Sequence, residues 1–135
     1  SQKFITLFYG VLDSYRLTYT NAGHNAPMLV RAGGQTRRLD CGGVVLGVFP
    51  DWRYEEAQVD LTPGDRLLLF SDGISEAENR RGTQFGEERL FDLLVRHRGL
   101  DATRLRKKIM AEVAEFTAGT MQDDATLVVV AVDQL

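Results

Sequence analysis

The sequence is poor in cysteine, in unbalanced charge and in long apolar runs, and each shortage excludes something. Cys41 is the only cysteine of the 135 residues, which excludes an internal disulfide framework and a Cys-rich zinc site. Sixteen Lys and Arg stand against 19 Asp and Glu, a formal net charge of −3. A protein that grips nucleic acid through its phosphates needs a basic surface, so nucleic acid is not an expected partner. No apolar run approaches the roughly 18 residues of a membrane span, and the opening Ser1-Gln2-Lys3-Phe4 does not read as a signal peptide. The expectation is a single domain over residues 1–135, cytoplasmic and off the membrane. With 44% hydrophobic residues, the chain has the material for a packed core.

Strand signals come first along the chain. Phe4–Leu12 is almost continuously apolar and predicts a strand buried on both faces. After a turn at Asp13-Ser14, Tyr15–Thr20 alternates apolar and polar residues, predicting a half-buried strand in a hairpin with the first. Asn21 to Pro27, with Gly23, His24 and Asn25 between, marks a structured loop. Met28–Val30, Thr36–Leu39 and Tyr54–Leu61 read as short strands, and Asp40–Gly47 as irregular chain. Thr62-Pro63-Gly64-Asp65 is a turn before the apolar strand Arg66–Phe70.

The period then changes. Leu90, Leu93, Leu94 and His97 fall on one helical face within Gly86–His97. Leu105, Ile109, Val113 and Phe116 recur at helical spacing after Asp101, which suits an N-cap, and Gly119 suits the C-terminal end. Ala125–Val132 is β-branched and predicts a buried strand. Strands, then two helices, then a strand argue an α+β class, with helices on a mainly antiparallel sheet.

Carboxylates sit at the ends of two apolar strands. Ser71-Asp72-Gly73 follows Arg66–Phe70, and Gln122-Asp123-Asp124 precedes Ala125–Val132. If the strands are antiparallel neighbours, Asp72 and Asp123/Asp124 converge on one sheet edge. Carboxylate oxygens without nearby His or Cys suit a hard cation, Mg²⁺ or Mn²⁺. Asp-Gly is equally an ordinary turn pair, and spacing alone leaves both readings open.

Four ordered blocks carry a family resemblance. They are Phe4–Asp13 (FITLFYGVLD), Leu17–Pro27 (LTYTNAGHNAP), Pro63–Ala77 (PGDRLLLFSDGISEA) and Gln122–Val130 (QDDATLVVV), with Gln84-Phe85-Gly86 fitting as well. Together they resemble the C-terminal part of the metal-dependent protein phosphatases of type 2C, in the bacterial branch of stage II sporulation protein E and the RsbU-like regulators. The resemblance implies an antiparallel β-sandwich flanked by helices, with two Mn²⁺ or Mg²⁺ ions at one edge activating water for attack on a phosphoryl group. By motif, Asp72 and Asp123 are metal ligands and Asp124 a neighbouring catalytic position. The implied activity is hydrolysis of phosphoserine or phosphothreonine on a regulatory protein, of the anti-sigma factor antagonist type.

Family members also carry a Gly-Asp-(aromatic)-(aromatic)-Asp block ahead of the first matching strand, supplying the bridging Asp. No such block occurs here, and Asp13, the only carboxylate in the first 39 residues, reads as structural. The chain is therefore expected to be an N-terminally truncated phosphatase domain, a weak metal binder and nearly inactive, and to form homo-oligomers through the exposed edge of Phe4–Leu12. The competing reading is a non-catalytic, phosphatase-like interaction module.

Other signals reduce to ordinary roles. Cys41 has Gly47, not Arg, six residues on, which excludes a Cys-dependent phosphatase loop. Val48 stands where a P-loop needs Lys. Asn21, His24 and Arg80 are the substrate-binding candidates, with a loop hydrogen bond the plainer role for His24 and a solvated charge pair the plainer role for Arg80-Arg81. His97, Trp52 and Tyr54 read as structural. Arg104, Arg106, Lys107 and Lys108 read as the wet face of a helix.

Overall fold

The structure, a computed structural model, describes residues 3–121 and 123–134; Gln122 of the acidic motif lies outside them. Two four-stranded sheets and a helical layer make up the fold. In the first sheet, β1 (Leu7–Asp13) pairs antiparallel with β2 (Arg16–Ala22), from Leu7 opposite Ala22 to Asp13 opposite Arg16. The far edge of β2 takes two short strands, β5 (Gly42–Gly43) in parallel and β6 (Ala57–Asp60) antiparallel. The second sheet runs β4 (Thr36–Arg38), β3 (Met28–Val30), β7 (Arg66–Phe70), β8 (Leu127–Ala131), antiparallel throughout.

Alternation along the central strands of the second sheet builds two cores at once. Leu29 and Leu67 point towards the first sheet and pack with Leu17, Tyr19, Leu39, Val59, Leu61 and Val132. Met28, Val30, Leu68 and Phe70 point the other way, onto α2 (Glu87–Arg96) and α3 (Ala102–Phe116). The helices return Leu90, Leu93 and Leu94, and Leu105, Ile109 and Val113, all buried. Each such side chain contributes about 1.5–3 kcal/mol of burial, so the i, i+4 stripe of α3 fixes its seat on the sheet. Asp101 caps α3 as expected, its Oδ1 accepting the Arg104 N–H at 2.8 Å.

The first strand departs from expectation. It starts at Leu7 rather than Phe4 and is not buried on both faces: Tyr9 is 59% and Val11 51% exposed. Only Phe8 is tucked inward, stacking on Tyr19 at 5.4 Å between ring centroids. Two causes combine. β1 is the edge of its sheet, with β2 as its one partner strand among the described residues, and no helix or strand described here packs on its outer face. β8 is also an edge strand, but it is covered on both faces, Leu127 and Val129 packing towards the helices and Val130 towards the first sheet, and only Val128 is 48% exposed. A further departure is β5, in the stretch read as irregular.

Candidate functional site

The antiparallel pairing of β7 and β8, with Phe70 opposite Leu127, brings the two acidic motifs together. The ladder continues one step past the strands. Ser71 N–H donates to Thr126 O at 3.0 Å, and Thr126 N–H donates to Ser71 Oγ at 2.9 Å. The chain then turns into a single helical turn, α1 (Asp72–Ser75), with Ser71 at its N-cap and Asp72 as its first residue. Sequence patterning missed this turn because four residues carry no periodicity.

Gly73 sits where α1 and the approach to β8 touch. A Cβ on it would lie 1.9 Å from the carbonyl oxygen of Asp124, so a glycine is needed for the two segments to approach this closely. The contact sets Asp123-Asp124 beside Asp72. The Asp124 N–H donates to Asp123 Oδ1 at 2.8 Å, which fixes one oxygen of Asp123 in its own turn.

Asp72, Gly73 and Asp123 form the ridge between two clefts. One, of about 260 Å³, is lined also by Thr6, Gly23, His24, Asn25, Ser71 and Asp124. The other, of about 280 Å³, has Glu76, Ala77, Glu78 and Gln84 as its remaining walls. The sequence-predicted residues thus divide. Asp72, Asp123 and Asp124 share one cleft, and His24 joins them there. Asn21 does not reach it: the residue is 4% exposed, and its side chain is occupied within the loop, Nδ2 donating to Leu39 O and Oδ1 accepting the His24 N–H. Arg80 lines a separate cleft with Glu78, Asn79, Gly82, Thr117 and Thr120. Asp13 lies in another with Ser14, Tyr15, Arg16 and Asp60.

Two features escaped sequence reading. Asn25 Nδ2 donates to Asp72 Oδ1 at 2.7 Å, and Thr6 Oγ1 bonds His24 Nδ1 at 3.0 Å. Both pairs are far apart in sequence, and no local pattern announces them.

Among the described residues, no group of three or more His, Cys, Asp or Glu side chains is gathered closely enough to hold a metal ion. The donors present are nonetheless the right kind for Mg²⁺ or Mn²⁺, all oxygens and carboxylates. They amount to part of a coordination sphere of about six oxygens.

A helix-flanked, mainly antiparallel β-sandwich is the fold this chain shares with solved type 2C (PP2C) phosphatase domains. The chain belongs to the stage II sporulation protein E (SpoIIE) family, whose sequence model matches residues 1–133. It is 31% identical over 132 residues to the phosphoserine phosphatase RsbU of Bacillus subtilis, covering 96% of this chain and 39% of that protein. It is 30% identical over 130 residues to protein IcfG of Synechocystis, covering 94% of this chain and 20% of IcfG. The chain therefore spans between a fifth and two fifths of these curated relatives. Among solved structures, the PP2C phosphatase domain and a fragment of the regulatory domain of SpoIIE from Bacillus subtilis superposes with a TM-score of 0.76. That match has 22% identity and covers 95% of this chain and 38% of the other. The RsbU and RsbW domains of Rv1364c from Mycobacterium tuberculosis also give 0.76, at 26% identity over 92% of this chain and 35% of that one. These likenesses extend over both sheets and the helical layer, in agreement with the expected fold class.

Proposed function

We propose that this chain is the C-terminal portion of the catalytic domain of a metal-dependent protein serine/threonine phosphatase. Its substrate would be a phosphoserine- or phosphothreonine-bearing regulatory protein in the cytoplasm, of the anti-sigma factor antagonist type. The observation that carries the reading is the shared ridge of Asp72 and Asp123, reached from opposite ends of paired strands. In this reading Asp72 and Asp123 hold Mn²⁺ or Mg²⁺, and Asp124 shapes the cleft beside them. Such ions, when bound, polarise a phosphoryl oxygen and supply activated water. The chain's own residues have three tasks. Gly73 and the Ser71–Thr126 bonds hold the two acidic segments in contact, Asp123 keeps one oxygen in its turn, and His24 forms part of the cleft wall. Asn21 supports this wall from within rather than touching substrate.

With so few ligands, the 135-residue chain by itself is expected to bind metal weakly and to turn over little. The test is release of phosphate from a phosphoserine protein by the full-length protein in Mn²⁺, with Asp72→Asn and Asp123→Asn beside it. Loss of turnover in both variants supports the reading; unchanged turnover in either overturns its ligand assignment. Robust turnover by the isolated chain would overturn the expectation of inactivity.

A second reading, a non-catalytic interaction module, is favoured by the open apolar face of β1, where Leu7, Tyr9 and Val11 are all exposed. The two readings separate on the same assay, since a pure module gives no metal-dependent turnover in the full-length protein. Under either reading, β1 is proposed as the surface through which the chain self-associates.

A further inference from the structure

The Asn21–Pro27 segment, the end of β2 and the loop that leads to β3, is held more firmly than a connection between two strands needs. Its first residue, Asn21, is buried and bonded at both ends of its amide. Gly23 takes a φ of +68°, and a Cβ there would lie 2.5 Å from Val45 Cγ1. The Gly23 N–H donates to Gly43 O at 3.1 Å. His24 is tied to Thr6, and the loop ends in Met28, which is fully buried. Within this frame one side chain reaches across to the other sheet: Asn25, donating to Asp72 Oδ1 at 2.7 Å. The amide nitrogen must be the group that faces the carboxylate, because its oxygen would repel it. Among the described residues Asp72 Oδ2 receives no protein donor.

We propose that Asn25 is a positioning residue for the acidic ridge: it pins one oxygen of Asp72 and leaves the other available to a divalent cation. The proposal rests on the metal reading above. A carboxylate on a one-turn helix, exposed to water, otherwise samples several rotamers. A charge-assisted bond from a pre-set loop removes that freedom before the cation arrives. It also couples the two sheets at the cleft, since Asn25 belongs to the β2–β3 loop and Asp72 follows β7.

The test is a Mn²⁺ titration of the ¹⁵N-labelled chain, read as paramagnetic broadening of the Gly73 and Asp124 amide resonances. This readout detects weak binding and needs no turnover. Asn25→Ala is expected to raise the apparent Kd about tenfold, the ordinary effect of removing a partner that orients a ligand. Asn25→Gln, which keeps the amide donor, recovers most of the loss. Thr6→Val removes the His24 tie but keeps the Asn25 amide, and is expected to raise the Kd less than Asn25→Ala does. In the full-length protein, Asn25→Ala raises the Mn²⁺ concentration needed for half-maximal activity while kcat at saturating Mn²⁺ is retained. An unchanged Kd in Asn25→Ala overturns the positioning role alone. An equal loss in Thr6→Val also overturns it, by showing that loop order and not the amide matters. If the unmodified chain shows no broadening at Gly73, the metal reading falls and this role falls with it.

Discussion

The Cα of Gly73 faces the backbone carbonyl of Asp124 so closely that an added methyl carbon would stand 1.9 Å from that oxygen. Both partners are backbone, so neither can swing aside. Gly73→Ala must therefore push α1 away from the segment that enters β8, at a cost of about 2–3 kcal/mol for an overpacked site. The same shift separates Asp72 from Asp123 and lowers Mn²⁺ affinity. Urea unfolding and the amide-broadening titration measure the two effects. Gly99→Ala is the control, because nothing lies within 4 Å of a Cβ at that position. Equal stability of the two variants would show that α1 yields without cost.

How far the site was legible in advance depends on the range of each contact. The apolar run Arg66–Phe70 and the β-branched run Ala125–Val132 identified β7 and β8, and an antiparallel pairing was enough to bring Asp72 near Asp123. Asp101 was legible as a cap because capping is local, three residues from donor to acceptor. The opening strand and its hairpin were legible too, but the strand's exposure was not. Hydrophobicity says that Leu7, Tyr9 and Val11 favour burial, but not whether anything covers them. Asn25 illustrates the opposite limit. Its loop was recognisable from Gly, Asn and Pro, yet its partner lies 47 residues away and depends on how two sheets stack.

The outer face of β1 leads to a prediction about assembly. Leu7, Tyr9 and Val11 alternate onto one side of an edge strand, and all are more than 40% exposed. An open apolar edge is a template for pairing with another chain. Light scattering at increasing concentration is expected to show a mass at least twice that of one chain. Tyr9→Lys with Val11→Lys, placing charge on the same face, returns the mass to that of a single chain. A monomeric mass for the unmodified chain at high concentration would count against the interface.

Asp65 supports the turn that launches β7 from within the core. It is fully buried, and Oδ2 accepts from Arg31 at 2.6 Å and from the Thr62 N–H at 2.8 Å, while Oδ1 accepts from Thr62 Oγ1 at 3.2 Å. Arg31→Ala leaves this carboxylate in the interior with no cation, which costs about 3 kcal/mol for a broken buried pair. The side chain of Arg31 is 31% exposed, so the loss lies near the lower end of the range for such pairs. Denaturant unfolding checks it. A change no larger than that for Arg16→Ala, whose ion pair with Asp60 is exposed on both sides, would show that the two Thr62 donors suffice.

The cap of α3 gives the last expectation. Asp101 adopts extended backbone angles, φ −67° and ψ 169°, and its carboxylate accepts the Arg104 N–H that the first helical turn leaves without a partner. Its charge also faces the positive end of the helix dipole. Asp101→Ala removes both effects and costs about 1 kcal/mol, or a fall of about 4 °C in Tm for a domain of this size. Asp101→Asn keeps the acceptor and loses only the charge, so it should fall between the two in a thermal melt. Because α3 packs Leu105, Ile109 and Val113 against the face of the sheet opposite the first sheet, fraying its first turn leaves the cleft of Asp72 and Asp123 unchanged. Mn²⁺ broadening at Gly73 should accordingly be the same in Asp101→Ala as in the unmodified chain. A matched loss of stability and metal affinity would instead mean that the helical layer holds the acidic ridge in place.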